Sequence, residues 1–164
     1  MASGDTLLVF VAEMNQPPSS NPATLDWRNR HPVLDFDTGT DEYAIYTGVM
    51  PQSYAGTTGV TVFVHYSMSS ATSGTCAWQV SFERIGDQQQ DVDSDSWAAA
   101  NNISAVTVPG TSGNVDVVNT TFTDGADMDS VAAGETFRIR INRDISADSG
   151  AGDAELHAVE IRET

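Results

Sequence analysis

Lysine is missing altogether: the seven basic residues of this 164-residue chain are all arginines, set against 23 carboxylates, for a formal net charge of −16. A surface so acidic repels phosphate backbones and anionic lipid, so nucleic acid and membrane are not expected as partners. Cysteine is nearly missing as well. Cys76 stands alone, which excludes an intrachain disulfide and a cysteine-based zinc site. Long apolar runs are also lacking. The longest, residues 7–12, falls far short of the ~20 residues of a membrane span and is too short for a secretory core. No basic leader precedes it in residues 1–5, so the chain is expected to be made in a cytoplasm without a signal peptide. Charged residues are sparse at 18% against 40% hydrophobic, which argues against a disordered tail or a coiled coil.

What is present is alternation and β-branched content. Strands are expected over residues 6–13, 33–36, 42–49, 60–68, 76–85, 103–108, 115–122, 136–142 and 154–162. In the first, Leu7, Val9 and Val11 share one face while Leu8 and Phe10 share the other. A strand apolar on both sides is expected to lie centrally or beneath another subunit. Residues 42–49 put Tyr43, Ile45 and Val49 on one apolar face, and residues 76–85 do the same with Cys76, Trp78, Val80 and Phe82. Residues 136–142 alternate Phe137, Ile139 and Ile141 with Arg138, Arg140 and Asn142. Leu156 and Val159 differ in parity, which predicts a bulge near Ala158.

Between the first two strands, Pro17, Pro18 and Pro22 lack the ladder donor. Residues 14–31 therefore read as an extended arm or a long connection. Short helical turns are expected within 93–102, capped by Ser94 or Asp95, and within 126–133. The expected fold is all-β: residues 1–164 form a single two-sheet sandwich, a jelly roll first and an immunoglobulin-like sandwich second.

Three stretches carry a resemblance. They are Pro17-Pro18-Ser19-Ser20-Asn21-Pro22-Ala23-Thr24-Leu25-Asp26, then His31-Pro32-Val33-Leu34-Asp35-Phe36-Asp37, then Gly152-Asp153-Ala154-Glu155-Leu156 with Val159-Glu160-Ile161-Arg162-Glu163. They resemble a group of tailed-bacteriophage virion proteins over most of the chain. By fold analogy that group is similar to the jelly-roll cement or decoration proteins that sit as trimers on phage heads. The resemblance implies a non-enzymatic viral structural protein located in the virion. Its partners would be the major capsid protein and further copies of itself in a homotrimer. These stretches punctuate structure and contain no catalytic signature.

Several constellations were weighed for chemistry. Asp91, Asp93 and Asp95 stand at alternate positions, a spacing that suits a hard cation such as Ca²⁺. An EF-hand loop fails, because Ser96 and Asn102 stand where glycine and glutamate are required. The competing reading is a solvated acidic loop, and no cofactor beyond loosely bound Ca²⁺ is expected. His31, His65 and His157 have no metal-binding spacing, and no G-x-S-x-G, S-x-x-K, H-E-x-x-H or phosphate loop occurs, so no enzyme is expected.

Trp78 belongs to the core pattern, whereas Trp27 and Trp97 lie in the Pro-rich segment and an acidic loop. Exposed aromatics beside carboxylates stack on sugar rings, which supports an alternative function: a carbohydrate-binding adhesion module of a phage tail or fibre. Arg138 and Arg140 share an outward stripe, expected to pair with Glu155, with Glu160 or with a partner subunit. Leu7, Val9, Val11, Leu25, Trp27, Arg138 and Arg140 form the expected interface set.

Overall fold

Strand parity decides which residues of this chain meet water, and two bulges and one glycine decide the parity. The computed structural model describes residues 4–164; residues 1–3, part of the segment read for a leader, lie outside the described residues. Its strands are β1 (Thr6–Val11), β2 (Thr24–Arg28), β3 (His31–Phe36), β4 (Tyr43–Val49), β5 (Val60–Met68), β6 (Thr75–Ile85), β7 (Asn101–Thr107), β8 (Asp116–Phe122), β9 (Thr136–Arg143) and β10 (Ala154–Glu163). Two antiparallel sheets face each other, one ordered β2-β3-β10-β5-β8 with β1 beside β10, the other β4-β9-β6-β7. This is the expected all-β sandwich.

Strand β10 organises the larger sheet. Its first residues pair with β3 and its last with β1 along one edge, while β5 runs along the other. The register slips between Leu156 and Ala158, so Leu156 and Val159 both reach the core, as their opposite parity predicts. Edge-to-face rings fill the space between the sheets: Phe36 and Tyr66 against Trp78, and Phe82 against Phe122. Cys76 is buried in this core, and burial pushes its thiol up to about 12.

Strand β1 departs from its expected burial. A second slip, between Thr6 and Leu8, turns both Leu7 and Leu8 toward the core, where Phe10 is also buried. Val9 and Val11 are left on the solvent side. Strand β4 also departs from expectation: Ala44 and Tyr46 face the core, and Tyr43, Ile45 and Val49 face outward. Phe10 sets that choice. Its ring stacks on Tyr46 at 5.3 Å and lies over Gly48, where an added Cβ would sit 2.9 Å from Phe10 Cζ. Only glycine fits there.

The Pro-rich segment is extended and lies along its own domain. Gln16 N–H donates to Ile45 O at 2.8 Å, Ala23 N–H to Tyr43 O at 3.0 Å and Tyr43 N–H to Asn21 O at 2.9 Å, so the free edge of β4 is covered. Strand β2, absent from the expected set, then forms a hairpin with β3 through Asn29 and Arg30, both at positive φ (45° and 71°).

Of the two expected helical turns the first does not form and the second is shortened. The Ala98-Ala99-Ala100 run is drawn out beside β6, with Ala98 N–H donating to Phe82 O at 2.9 Å. Within 126–133 only one 3-10 turn appears, Ala126–Met128, ended by Asp129 and Ser130 at positive φ. Arg143, fully buried, donates to the carbonyls of Phe36, Gly150 and Gly152 and to Asp148, which fixes the approach to β10.

Candidate binding face

The outer face of the four-stranded sheet gathers most of the polar side chains singled out by type. Strand β9 lies between β4 and β6, so three cross-strand rows stand side by side: Tyr43–Asn142–Gln79, Ile45–Arg140–Ser81 and Thr47–Arg138–Glu83. Arg138 and Arg140 therefore find their partners here. The expected acids, Glu155 and Glu160, lie in the other sheet and pair instead with Arg28 and Arg162.

Residues 86–100, which link β6 to β7, fold over part of this face and are tied down at Glu83. The Glu83 carboxylate is fully buried. It accepts from Arg138 Nε at 2.5 Å, from Ser96 N–H at 2.6 Å and from Gln90 Nε2 at 3.3 Å. Arg138 also donates to Asp95 Oδ1 at 2.6 Å. A buried carboxylate held by an arginine and several donors is stable only as a complete set, so the loop and the sheet order each other.

The loop carries Trp97 over the arginines. Its ring lies 4.9 Å from the Arg138 guanidinium carbon and 4.8 Å from that of Arg140. Arg140 in turn lies 5.3 Å from the Tyr43 ring, which places it between two aromatic faces. Arg140 Nε is buried and has no hydrogen-bond partner among the described residues. Next to it, Asn142 Nδ2 donates to Gln79 Oε1 at 3.3 Å, and Gln79 Nε2 donates to Asp144 Oδ2 at 3.2 Å. Rings, a guanidinium and a row of amides thus share one strip of the sheet's outer side. Such a strip offers stacking surface and both donors and acceptors, without a nucleophile or a paired acid and base.

Asp91, Asp93 and Asp95 are all exposed but serve different partners. Asp91 accepts from the backbone N–H of Asp93 at 3.0 Å, and Asp95 pairs with Arg138. Among the described residues no three carboxylate, histidine or cysteine side chains converge as metal ligands. Trp27 and Leu25 lie on β2, exposed and away from this strip, and Leu7 is partly buried against the core.

The opposite sheet holds a serine–histidine contact. Ser67 Oγ lies 2.9 Å from both Glu155 Oε2 and His157 Nε2, and Glu155 also accepts from Arg28 Nη1 at 2.5 Å. The carboxylate engages the hydroxyl and not the second imidazole nitrogen, so nothing orients His157 as a base. Burial lowers the His157 pKa. These groups line a depression of about 320 Å³ with Arg28, Asn29 and His31, and their hydrogen bonds close on one another.

Residue types flagged Trp97, Arg138 and Arg140 from the sequence. Tyr43, Gln79, Asn142 and Glu83 were missed as a group. Tyr43 was hidden by the parity of β4, and the others become neighbours only through the order β4-β9-β6.

No protein-family profile matches the chain, and no curated protein resembles it in sequence. The resemblance to tailed-phage virion proteins thus has no named relative behind it. Solved structures do superpose on it. The C-terminal CBM6 of LamC from Zobellia galactanivorans aligns with a TM-score of 0.51 at 14% identity, over 97% of this chain and 100% of that one. The CBM22-1 xylan-binding domain of Paenibacillus barcinonensis Xyn10C aligns at 0.52 and 12% identity, over 99% and 96%. The xylan-binding module CBM15 aligns at 0.50 and 12% identity, over 96% and 97%. At such identities the likeness establishes the jelly-roll sandwich of carbohydrate-binding modules as the fold of this chain.

Proposed function

We propose that this protein is a non-catalytic carbohydrate-binding module that takes a neutral polysaccharide chain across the outer face of the four-stranded sheet. The observation that carries the reading is the strip itself: Arg140 between the rings of Tyr43 and Trp97, with the Gln79–Asn142 amides alongside. Sugar rings present apolar faces for stacking and equatorial hydroxyls for hydrogen bonding, and this strip supplies a partner for each. The shared fold with xylan-binding modules supports xylan as the first substrate class to test.

A head-cement role would use the extended segment, expected as an arm, to reach a neighbouring capsid subunit. Residues 15–23 are instead hydrogen-bonded along β4 of the same chain, which removes that feature as an argument for it.

Affinity electrophoresis through gels containing xylan, mannan or mixed-linkage glucan tests the proposal, with xylohexaose calorimetry on any gel that retards the protein. Retardation by at least one polysaccharide is expected, weakened about 10-fold or more by Tyr43→Ala or Trp97→Ala, the loss of a stacking contact worth about 1.5 kcal/mol. Trp27→Ala should leave it unchanged. Free migration in every gel, or equal binding by wild type and both strip variants, overturns the reading.

A further inference from the structure

The outer face of the six-stranded sheet has a different character. Over β1, β10, β5 and β8 it presents Val9, Val11, Ala158, Phe63, His65 and Val117, edged by Thr61, Asn119 and Thr121; Val115, just before β8, lines the depression beside His157. Val9, Val11 and Val117 are exposed by 50, 41 and 45%. The formal charges on this patch are Glu160 and Arg162, and they neutralise each other through a two-pronged contact of 2.8 and 2.7 Å. Arg162 also lies 4.1 Å over the Phe63 ring, so its charge is held flat against the sheet.

An electroneutral apolar face is exceptional on a chain of net charge −16. Carboxylates crowd elsewhere, including Asp26, Asp35, Asp37, Glu42 and Asp153 at the β2–β3 end of the same sheet. Two copies meeting through most other surfaces would press like charges together. The neutral patch avoids this.

We infer that this patch is a homodimer interface in which β1 of one copy packs over β8 of the other about a two-fold axis parallel to the strands. The strand order requires that pairing for any face-to-face dimer of this symmetry, because β1 and β8 lie at opposite margins of the patch with β10 and β5 between them. By the cross-strand rows, Val11 then meets Val117 of the second copy and Val9 meets its Asn119, at two equivalent places, while the Glu160–Arg162 pairs lie near the axis. Four strands about 4.8 Å apart, with about 3.4 Å per residue over the six residues of β1 along which all four run together, give on the order of 400 Å² in plan. That is below the ~600 Å² per partner at the lower end of standard interfaces, so the dimer is a weak, transient one, to be sought at high micromolar concentration. Added salt screens the net negative charge of both copies, so association tightens as ionic strength rises toward about 0.15 M.

Sedimentation velocity of the full chain from about 2 to about 200 µM reaches that concentration. A reversible monomer–dimer transition is expected, shifted at least about 10-fold to higher concentration in Val11→Arg and in Val117→Glu, a change of about 1.4 kcal/mol in association. Mixing the two variants should restore dimers, because one margin then carries an arginine–glutamate pair and the other keeps its valines. Circular dichroism and melting of each variant verify that both fold. A monomer throughout, a higher oligomer unaffected by either variant, or variants that fold but do not rescue each other overturns the inference. Polysaccharide retardation, read on the other sheet, is independent of all three outcomes.

Discussion

The two outer faces of this sandwich are built by the same alternation of side chains, yet they solve exposure in opposite ways. On the four-stranded sheet, outward positions carry Glu83, Arg138, Arg140, Gln79 and Asn142, and the chain folds residues 86–100 back over part of them. The loop is held by charge: a buried carboxylate, two of its donors from the loop and a stacked tryptophan. On the six-stranded sheet, outward valines and one self-neutralised ion pair are left bare. Polar outward residues thus recruit cover from their own chain. Apolar ones leave a surface that gains stability only from a second molecule.

The largest test of this contrast is at Glu83. Glu83→Ala leaves Arg138 with only the exposed Asp95 as its acid and Ser96 N–H without its acceptor. We expect a loss of about 3 kcal/mol and about 9 °C in Tm, with proteolysis between residues 86 and 100 preceding global unfolding. A melting curve superimposable on wild type would show that the loop is held by something other than that carboxylate.

A smaller effect divides the six-stranded face itself. Burial, then Asp26, Glu155, Asp153 and Glu42, raise Asp35 to about 6, so its charged form is less favourable folded than unfolded. Between about 4 and 6 the folded chain binds the extra proton, and stability from this group therefore grows as pH falls through that window. Glu160 acts in the opposite sense. Its hydrogen bond from Arg162 holds it down to about 2, so its contribution is present above its ordinary value of 4.5 and is lost as pH falls toward 2. Asp35→Asn should raise Tm at pH 7 by about 2 °C and remove the gain seen on acidification to pH 5. An unchanged pH profile in that variant would mean the acidic corner is not strained by charge.

The smallest expected effect is at Val117. Val117→Thr changes a residue that meets water in the single chain, and dilute monomer should lose no more than about 0.5 kcal/mol in a urea melt. A loss several times larger would show the patch to be packed by its own chain, which would erase the contrast.

Nine of the ten strands were readable from runs of β-branched and apolar residues, most of them alternating. Strand β2 was not. All but one of its residues are exposed, prolines precede it, and its turn places Arg30 at a positive φ where glycine or asparagine is the usual signal. Strand β4 was found but turned over. Ala44, Ile45 and Tyr46 are consecutive apolar residues, so alternation is silent there, and the deciding contact is Gly48 beneath Phe10 from the other sheet. That one inversion hid Tyr43, and with it the strip. Trp97 was visible as a stacking residue because it interrupts an acidic, otherwise apolar-poor loop. Its arginine partners come from a strand beyond β6, a distance in sequence that no local pattern reports.

Cys76 gives the molecule a built-in clock. The thiol is enclosed between the sheets and its pKa of about 12 leaves almost no thiolate near neutral pH. An alkylating reagent therefore modifies the native chain only during openings that expose β6, and with one cysteine in the chain each such event adds a single fixed mass. With no lysine competing for the reagent, the rate at which that mass accumulates reads the opening of the sandwich without any engineered probe.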